Sequence, residues 1–337
     1  MEDKILAGIS AVAHYVPSLV RTSAQVEELI NAHLKPPILP GSIERLTGIV
    51  SKHISRENEY NSTLAIEACR FLFKQEGVNP KDIDLLIFAS TGQDILEPAT
   101  AHIVQAEIGT NAPVMDISNA CNSFLNALEV AVLFIETGKY SSILIATGEV
   151  PSKAAKYNIK SRHLLQQYIP GHTFGDAGTA VLVDSKARIA RILDSSFFAE
   201  SSNWDVAMFP GGGSRYFNKR GAYFFAGDAN ALMEPFFVHT KRLLEEFLKR
   251  NKISMEDVEH VFVHQVAELF LSRICDELSI PKSKLEVTIK NYGNVAAASL
   301  PLALDLRLHS NPPVSGSLGL FIGLAGGISI GFTLVKF

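Results

Sequence analysis

Apolar residues recur in the same order in two segments that lie far apart along the chain. GVNPKDIDLLIFAST at 77–91 and KISMEDVEHVFVHQV at 252–266 each start with a short turn and end in a run typical of a buried strand. Ahead of each lies a stretch with apolar residues at helical spacing, STLAIEACRFLFKQ and FFVHTKRLLEEFLKR. The pattern therefore predicts one helix–turn–strand unit that occurs twice.

The repetition continues downstream of both strands. CNSFLNALEVAVLFIETGKYSSILIATGE and NVAAASLPLALDLRLHSNPPVSGSLGLFIGLAGG each predict a helix, a turn-rich link and an apolar strand. Helices that alternate with apolar strands predict a layered α/β architecture in which helices cover both faces of the sheets. We therefore expect two similar halves, residues 1–186 and 187–337, divided after the strand-like TAVLVDS.

Composition excludes several classes of protein. The 337 residues carry a net charge of -4, which provides no electrostatic footprint for nucleic acid or for an anionic membrane. The apolar stretches are too short, or too often broken by glycine, to span a bilayer, and the N-terminus lacks the pattern of a secretion signal. Three cysteines without paired spacing argue against a disulfide framework and against a cysteine-rich metal site. We expect a soluble, cytoplasmic protein without a metal ion.

One cysteine, Cys121, stands in DISNACNSFLN between a strand-like and a helix-like run. A helix N-terminus favours the thiolate, because unpaired N–H groups and the helix dipole stabilise negative charge there. The same groups can hold an oxyanion. The alternative is an inert, small hydrophobic residue, which is the commoner role of a lone cysteine.

Three further positions could carry chemistry. His264 ends a predicted strand at the edge where open α/β sheets place their ligands, and Asn294 matches the neighbourhood of Cys121 in the repeat. Gly326 begins a turn next to the last apolar strand, where a backbone N–H could face a reacting carbonyl. The alternatives are a structural histidine, a helix N-cap and a tight hairpin.

Together these motifs resemble those of the thiolase-fold condensing enzymes, specifically β-ketoacyl-ACP synthase III. The resemblance rests on Cys121, on His264 in VHQ, on Asn294 in GNVAAAS and on the C-terminal GG-x-x-x-G, and spans almost the whole chain. FGDAGTAVLV at 174–183 is also similar to the family's G-D-G-A-G-A. The resemblance implies two pseudo-symmetric α/β halves stacked as αβαβα layers.

The resemblance also implies a reaction. Cys121 would take an acyl group from coenzyme A, and a malonyl-type thioester would supply the carbon nucleophile for a Claisen condensation. The N–H groups of Cys121 and Gly326 would hold the oxyanion, while His264 and Asn294 would bind the thioester oxygen of the second substrate. A homodimer is implied, with acyl-CoA and an acyl carrier protein as substrates and no separate cofactor.

The chain departs from the family where coenzyme A is gripped. Ser42 and Leu46 stand where the family usually has tryptophan and arginine, and the usual Q-A-N-x-R after the histidine becomes Gln265–Leu269. Basic contacts are lost at both places. The remaining candidates for binding coenzyme A or the carrier are Arg45, Lys52, Lys153 and Arg215.

A third departure is Glu97 in QDILEPATA, where the family has a phenylalanine that reaches across the dimer interface. A carboxylate there resembles the condensing enzyme of bacterial long-chain olefin synthesis. That enzyme joins two acyl-CoAs without decarboxylation, a reaction that needs a base for an α-proton. Glu97 could equally be a solvated loop residue. Acyl transfer to an alcohol or amine, and a non-catalytic subunit, are further alternatives.

Overall fold

The computed structural model describes residues 6–219 and 221–337. Nine strands form one mixed sheet in the order β11-β12-β13-β8-β1-β7-β6-β4-β5, and two small two-stranded sheets pair β2 with β3 and β9 with β10. The strands are β1 Gly8–Tyr15, β2 Leu19–Thr22, β3 Ser51–Ile54, β4 Leu85–Ala89, β5 Val114–Ile117, β6 Ser142–Glu149, β7 Ala177–Asp184, β8 Ala190–Ala199, β9 Ala207–Met208, β10 Ala226–Gly227, β11 Val258–Val263, β12 Leu318–Ala325 and β13 Ser329–Lys336.

Ten α-helices connect and cover these strands in the part of the chain that the structure describes. They are α1 Ser23–Asn31, α2 Ser42–Thr47, α3 Asn61–Glu76, α4 Thr100–Ile108, α5 Ser123–Glu136, α6 Arg162–Tyr168, α7 Ala229–Arg250, α8 Glu268–Glu277, α9 Ile289–Tyr292 and α10 Ser299–Ser310. The strands and helices named from the repeated pattern are all present, which confirms the α/β class.

The two ends of the large sheet have the same internal order. From β1 outward, β7 pairs antiparallel, β6 follows antiparallel and β4 follows parallel. From β8 outward, β13, β12 and β11 repeat these directions. A short parallel bridge between Val261 and Leu285 stands where the first half has the β4–β5 pairing. The proposed division into residues 1–186 and 187–337 falls in the link between β7 and β8.

The layers follow from which helices pack on which strands. The largest apolar cluster places α5 and α10 against strands of both halves, so these two helices form the central layer. α3 and α4 cover the outer face of the first half, and α7 and α8 cover that of the second. The order is therefore αβαβα, as the resemblance implied.

α5 is buried on most of its circumference, because it lies between two sheet surfaces. Each fully buried leucine or phenylalanine there stabilises the fold by about 1.5–3 kcal/mol, which holds the start of the helix in place. No helix in the described ranges is long and apolar enough to cross a membrane.

Candidate active site

The candidate site lies where the parallel strands end. β4, β5 and β6 are mutually parallel, and β11 and β12 are parallel in the other half, so their carboxyl ends meet at common edges. The residues at or just after these strand ends, in chain order, are Ser90 and Thr91, Cys121, Glu149, His264 and Gly326. All but Ser90, Thr91 and Glu149 were named from the sequence.

A strained turn presents Cys121 at the start of α5. Ala120 has a left-handed φ of 45°, which is uncommon for a residue with a side chain. The Ser123 hydroxyl accepts from the Asn119 N–H at 2.9 Å and donates to the Ala120 carbonyl at 2.6 Å. These bonds close the turn around Cys121, which is half-buried.

Asn122 joins this turn to the other half of the molecule. Its Nδ2 donates to the carbonyl and to the hydroxyl of Ser329, each at 3.0 Å, while its buried Oδ1 has no partner among the described residues. Asn119 donates to the same Ser329 hydroxyl at 3.2 Å. Since Ser329 follows Gly326 by three residues, the contacts bring the glycine turn close to Cys121. The oxyanion role of Gly326 stays a prediction.

His264 is a buried histidine without a hydrogen-bond partner on its ring. Its backbone N–H is held by the Ile322 carbonyl at 2.9 Å, but neither ring nitrogen bonds to a described residue. Burial lowers the pKa of His264 to about 4, so the ring is neutral at physiological pH. A neutral imidazole with both nitrogens unpaired can donate one hydrogen bond to a substrate oxygen.

The Asn294 loop is fixed by backbone hydrogen bonds. The backbone N–H of Asn294 donates to the Thr173 carbonyl at 2.9 Å, and the backbone carbonyl of Asn294 accepts from the Gly175 N–H at 3.1 Å. Its side-chain oxygen accepts from the Ala296 N–H at 3.0 Å, which leaves the side-chain NH₂ as a donor. Asn294 is buried at 5% exposure. The Asn294 side chain, like the His264 ring, can therefore donate a hydrogen bond to a substrate oxygen.

Glu149 was missed by reasoning from the sequence. It ends β6 at 1% exposure and forms no ion pair with a described residue. Its carboxylate accepts from the Thr91 N–H at 2.7 Å and from the Thr91 hydroxyl. Burial raises the pKa of Glu149 to about 7, although bonds from Thr91, Ser90 and the Ala297 N–H oppose the shift. An acidic residue directly after the apolar run SILIATG was the available signal.

Ser90 joins the end of β6 to the turn at Cys121. Its hydroxyl donates to the carbonyl of Gly148, the neighbour of Glu149, at 2.7 Å, and its carbonyl accepts from the Ser123 hydroxyl at 3.1 Å. Ala296 has a left-handed φ of 48°, close to that of Ala120. Cys121 and Ala297 therefore each follow a left-handed alanine just before a central helix.

The thiol of Cys121 differs from the expectation for a helix N-terminus. Burial raises its pKa to about 12, and the Glu149 charge acts in the same direction. A backbone hydrogen bond opposes both effects but does not cancel them. The direction of this shift is opposite to the one that a helix N-terminus favours.

A groove of about 560 Å³ is lined by residues of α2, α8 and α9. Its charged lining consists of Arg45 and Lys290 with Glu44 and Glu268. Glu268 follows His264 by four residues and Lys290 precedes Asn294 by four, and the groove lining itself includes neither His264 nor Asn294. Glu44 and Glu268 lie in the two segments where the sequence had indicated a loss of basic contacts.

Of the four basic candidates for binding coenzyme A or a carrier, only Arg45 lines this groove. Lys52 is a correction, because it is 2% exposed and its ammonium donates to the His172 carbonyl in the interior. Lys153 is exposed but donates to the Glu59 carbonyl at 2.5 Å, away from the groove lining. Arg215 is exposed and stacks over Trp204.

Glu97 lies in the exposed segment between β4 and α4 and is itself exposed. It forms no hydrogen bond or ion pair within the described part of its own chain. Its neighbours Ile95 and Leu96 are also exposed, at 46% and 56%. Within one chain, Glu97 is therefore a surface residue.

The fold and the strand-end site define a thiolase-superfamily protein. The family model for 3-oxoacyl-[acyl-carrier-protein] synthase III matches residues 115–201, and the model for the C-terminal part of that enzyme matches residues 248–337. Together the two models match more than half of the chain. The chain therefore belongs to the 3-oxoacyl-[acyl-carrier-protein] synthase III family of condensing enzymes, and it is an acyltransferase-type enzyme.

Similar proteins cover nearly its full length. The β-ketoacyl-[acyl-carrier-protein] synthase III of Aliarcobacter butzleri is 28% identical, with 99% of this chain and 98% of that protein covered. The crystal structure of the Aquifex aeolicus synthase III has a TM-score of 0.84 at 26% identity and covers 98% of this chain and 100% of that one. Xanthomonas campestris OleA, solved with lauric acid and lauroyl-CoA, has a TM-score of 0.88 at 17% identity, with 98% and 99% covered, a likeness of fold.

Proposed function

We propose that Cys121 accepts an acyl group from a thioester and that the acyl-enzyme condenses with a malonyl-type thioester, with loss of carbon dioxide. The observation that carries this proposal is His264, a buried neutral imidazole whose two ring nitrogens have no partner among the described residues. Leaving such a group unpaired costs about 1–3 kcal/mol, which is offset when a substrate oxygen binds it. The family name of the similar proteins supports the same reaction.

In the second half-reaction, His264 and Asn294 would donate to the thioester oxygen of the malonyl substrate. Decarboxylation leaves an electron pair on the α-carbon, and the two donors stabilise the resulting enolate. Each donor removed should cost about 3 kcal/mol in the barrier. The α-carbon then attacks the acyl carbonyl on Cys121, whose thiolate is released.

The backbone N–H groups of Cys121 and Gly326 would bind the oxyanion of both acyl transfers. The closed turn at Cys121 and the Asn122–Ser329 bonds support this pairing, because they tie the two turns together. The groove lined by Arg45 would hold the thioester arm of coenzyme A or of a carrier protein. We further propose that the enzyme is a homodimer and that it acts in the cytoplasm.

Product analysis tests the proposed reaction. Incubation with acyl-CoA should add one acyl mass to the peptide that contains Cys121, and Cys121→Ala should remain unlabelled. Malonyl thioester labelled in its free carboxyl group should then release labelled carbon dioxide and form a β-ketoacyl product. Equal labelling of wild type and Cys121→Ala would exclude Cys121 as the nucleophile, and an ester or amide product would indicate simple acyl transfer.

Non-decarboxylative joining of two acyl-CoAs is the second candidate. It is favoured by Glu97, an exposed carboxylate flanked by exposed apolar residues, as expected of a loop that enters a partner subunit. OleA, crystallised with lauroyl-CoA, has the same fold. In this case acyl-CoA alone should yield a β-keto acid, and Glu97→Gln should lose that product while retaining acylation of Cys121.

A further inference from the structure

The backbone around Asn294 is held by one short segment, residues 172–175, that comes from the first half of the chain. Asn294 exchanges backbone hydrogen bonds with Thr173 and Gly175. A Cβ added at Gly293 would lie 2.6 Å from the Thr173 carbonyl and 3.2 Å from the Gly175 nitrogen, so the two stretches of backbone touch closely. The place of Asn294 therefore depends on the place of this segment.

Lys52 lies at this junction and contacts both of its sides. Its side chain is buried on β3, and the ammonium donates to the His172 carbonyl. A Cβ added at Gly175 would lie 3.3 Å from Lys52 Cβ, and one added at Gly293 would lie 3.2 Å from it. One lysine side chain therefore supports the segment that holds Asn294 and also the residue that directly precedes Asn294.

The backbone of β3 is fastened independently of the Lys52 side chain. The Val50 N–H, just ahead of the strand, donates to the Lys290 carbonyl at 2.8 Å. The His53 carbonyl, within the strand, accepts from the Asp176 N–H at 2.8 Å. Because both bonds join backbone atoms, a change of the Lys52 side chain should leave β3 in place and alter only what fills the junction.

We propose that Lys52 is a positioning residue for Asn294. Its ammonium fixes the His172 carbonyl and its Cβ packs against Gly293, so the side-chain amide of Asn294 is held where the second substrate binds. The inference rests on the proposed function, in which that amide donates to the thioester oxygen. Lys52 is 2% exposed, so it acts through Asn294 and not by contact with the substrate.

The other role for this lysine is stability of the fold alone. Burying an ammonium costs free energy that an apolar side chain of similar volume does not. Lys52→Met should therefore leave the midpoint of urea unfolding nearly unchanged, because loss of the bond to the His172 carbonyl is offset by removal of a buried charge. Loss of condensation without loss of stability would identify a positioning role.

The two half-reactions should respond differently, because only condensation uses Asn294. In Lys52→Met, acylation of Cys121 by acyl-CoA should stay within a few-fold of wild type, while condensation slows by about tenfold through displacement of the donor. Asn294→Ala should slow condensation by about 10²-fold. The double variant should be no slower than Asn294→Ala, because Lys52 acts only through that side chain. Acyl-enzyme mass and product analysis measure both rates.

Two matched variants serve as controls. Lys284→Met makes the same change at a lysine whose ammonium also donates to backbone carbonyls, those of Met255 and Glu256 at 3.0 Å each, and it should alter neither rate. Lys52→Arg keeps a cationic donor at the junction and should bring condensation back to within a few-fold of wild type.

Hydrogen exchange reports on the junction without relying on activity. Backbone amides of residues 172–176 and 293–295 should exchange about tenfold faster in Lys52→Met than in wild type, because the support beneath them is lost. The same amides should be unaffected in Lys284→Met. If Lys52→Met does not fold, Lys52→Gln, a shorter neutral side chain, takes its place with the same expectations.

The outcomes are distinct. Slower condensation with preserved acylation, no further loss in the double variant and faster exchange at the junction support the proposal. Unchanged condensation, equal slowing of both half-reactions, multiplied losses in the double variant or unchanged exchange would overturn it. The proposed function fails separately, if the wild-type acyl-enzyme does not condense with a malonyl thioester, and hydrogen exchange then still decides whether Lys52 positions Asn294.

Discussion

Replacement of Gly323 by alanine should disturb the nucleophile turn through Asn122. Gly323 lies in the middle of β12, and a Cβ placed there would stand 1.9 Å from Asn122 Oδ1 and 2.8 Å from Leu125 Cδ1. Both contacts are with side chains, so the backbone of β12 can persist while Asn122 must move. The residue that moves is the direct neighbour of Cys121.

The cost can be worked from the bonds that Asn122 makes. Its two hydrogen bonds to Ser329 contribute about 1 kcal/mol each, and the overpacking adds about 1–2 kcal/mol, so Gly323→Ala should lower the free energy of unfolding by about 3–4 kcal/mol. Asn122→Ala alone should cost about 1 kcal/mol, because the lost bonds are partly offset by removal of an unpaired buried oxygen. The double variant should lose only about 2 kcal/mol, since the clashing oxygen is absent.

Urea unfolding of the four proteins measures this coupling, and acylation of Cys121 reports on the turn itself. Gly213→Ala is the control, because a Cβ at Gly213 meets no atom within 4 Å and should change stability little. We expect the double variant to be more stable than Gly323→Ala and to regain acylation. Additive losses, or a fully active Gly323→Ala, would refute the link from β12 through Asn122 to Cys121.

Three further predictions concern individual residues of the site. The folded-state pKa of Glu149 is raised from 4.5 to about 7, so its contribution to stability is full below about pH 4.5 and is lost as the pH rises through 7; relative to Glu149→Gln, wild type should therefore lose about 3 kcal/mol over that range in urea titrations. His264→Ala should keep acylation of Cys121 within a few-fold but lower condensation by about 10²-fold, measured as acyl-enzyme mass and as product. Gly175→Ala should abolish condensation, measured as product, and lower the free energy of unfolding in urea, because its Cβ would lie 1.9 Å from the Tyr292 carbonyl in the loop that holds Asn294.

Most of the architecture could be predicted from hydrophobic pattern. Apolar spacing was sufficient to predict four elements, β4, β11, α3 and α7. Each is buried either on one face or throughout, and the local spacing of apolar residues indicates both patterns. The layer order required the family resemblance, because periodicity does not say which helices lie between two sheets. Only the packing of α5 and α10 against strands of both halves identifies them as the central layer.

The site was predictable to the extent that side chains stand at strand ends. His264 was found because it follows an apolar strand, and the same rule applied to Glu149 would have found it. Lys52 could not be placed, because whether a lysine on a short strand points outward or inward depends on tertiary packing. Here it points inward, and burial lowers its pKa to about 7.

The pKa of the Cys121 thiol depends on features that local sequence does not show. A helix N-terminus is a local feature, and it favours a thiolate. Desolvation and the charge of Glu149, 28 positions further along the chain, are non-local, and together they raise the pKa of Cys121. A protonated nucleophile must lose its proton during each acyl transfer, so the site needs an acceptor as well as oxyanion donors.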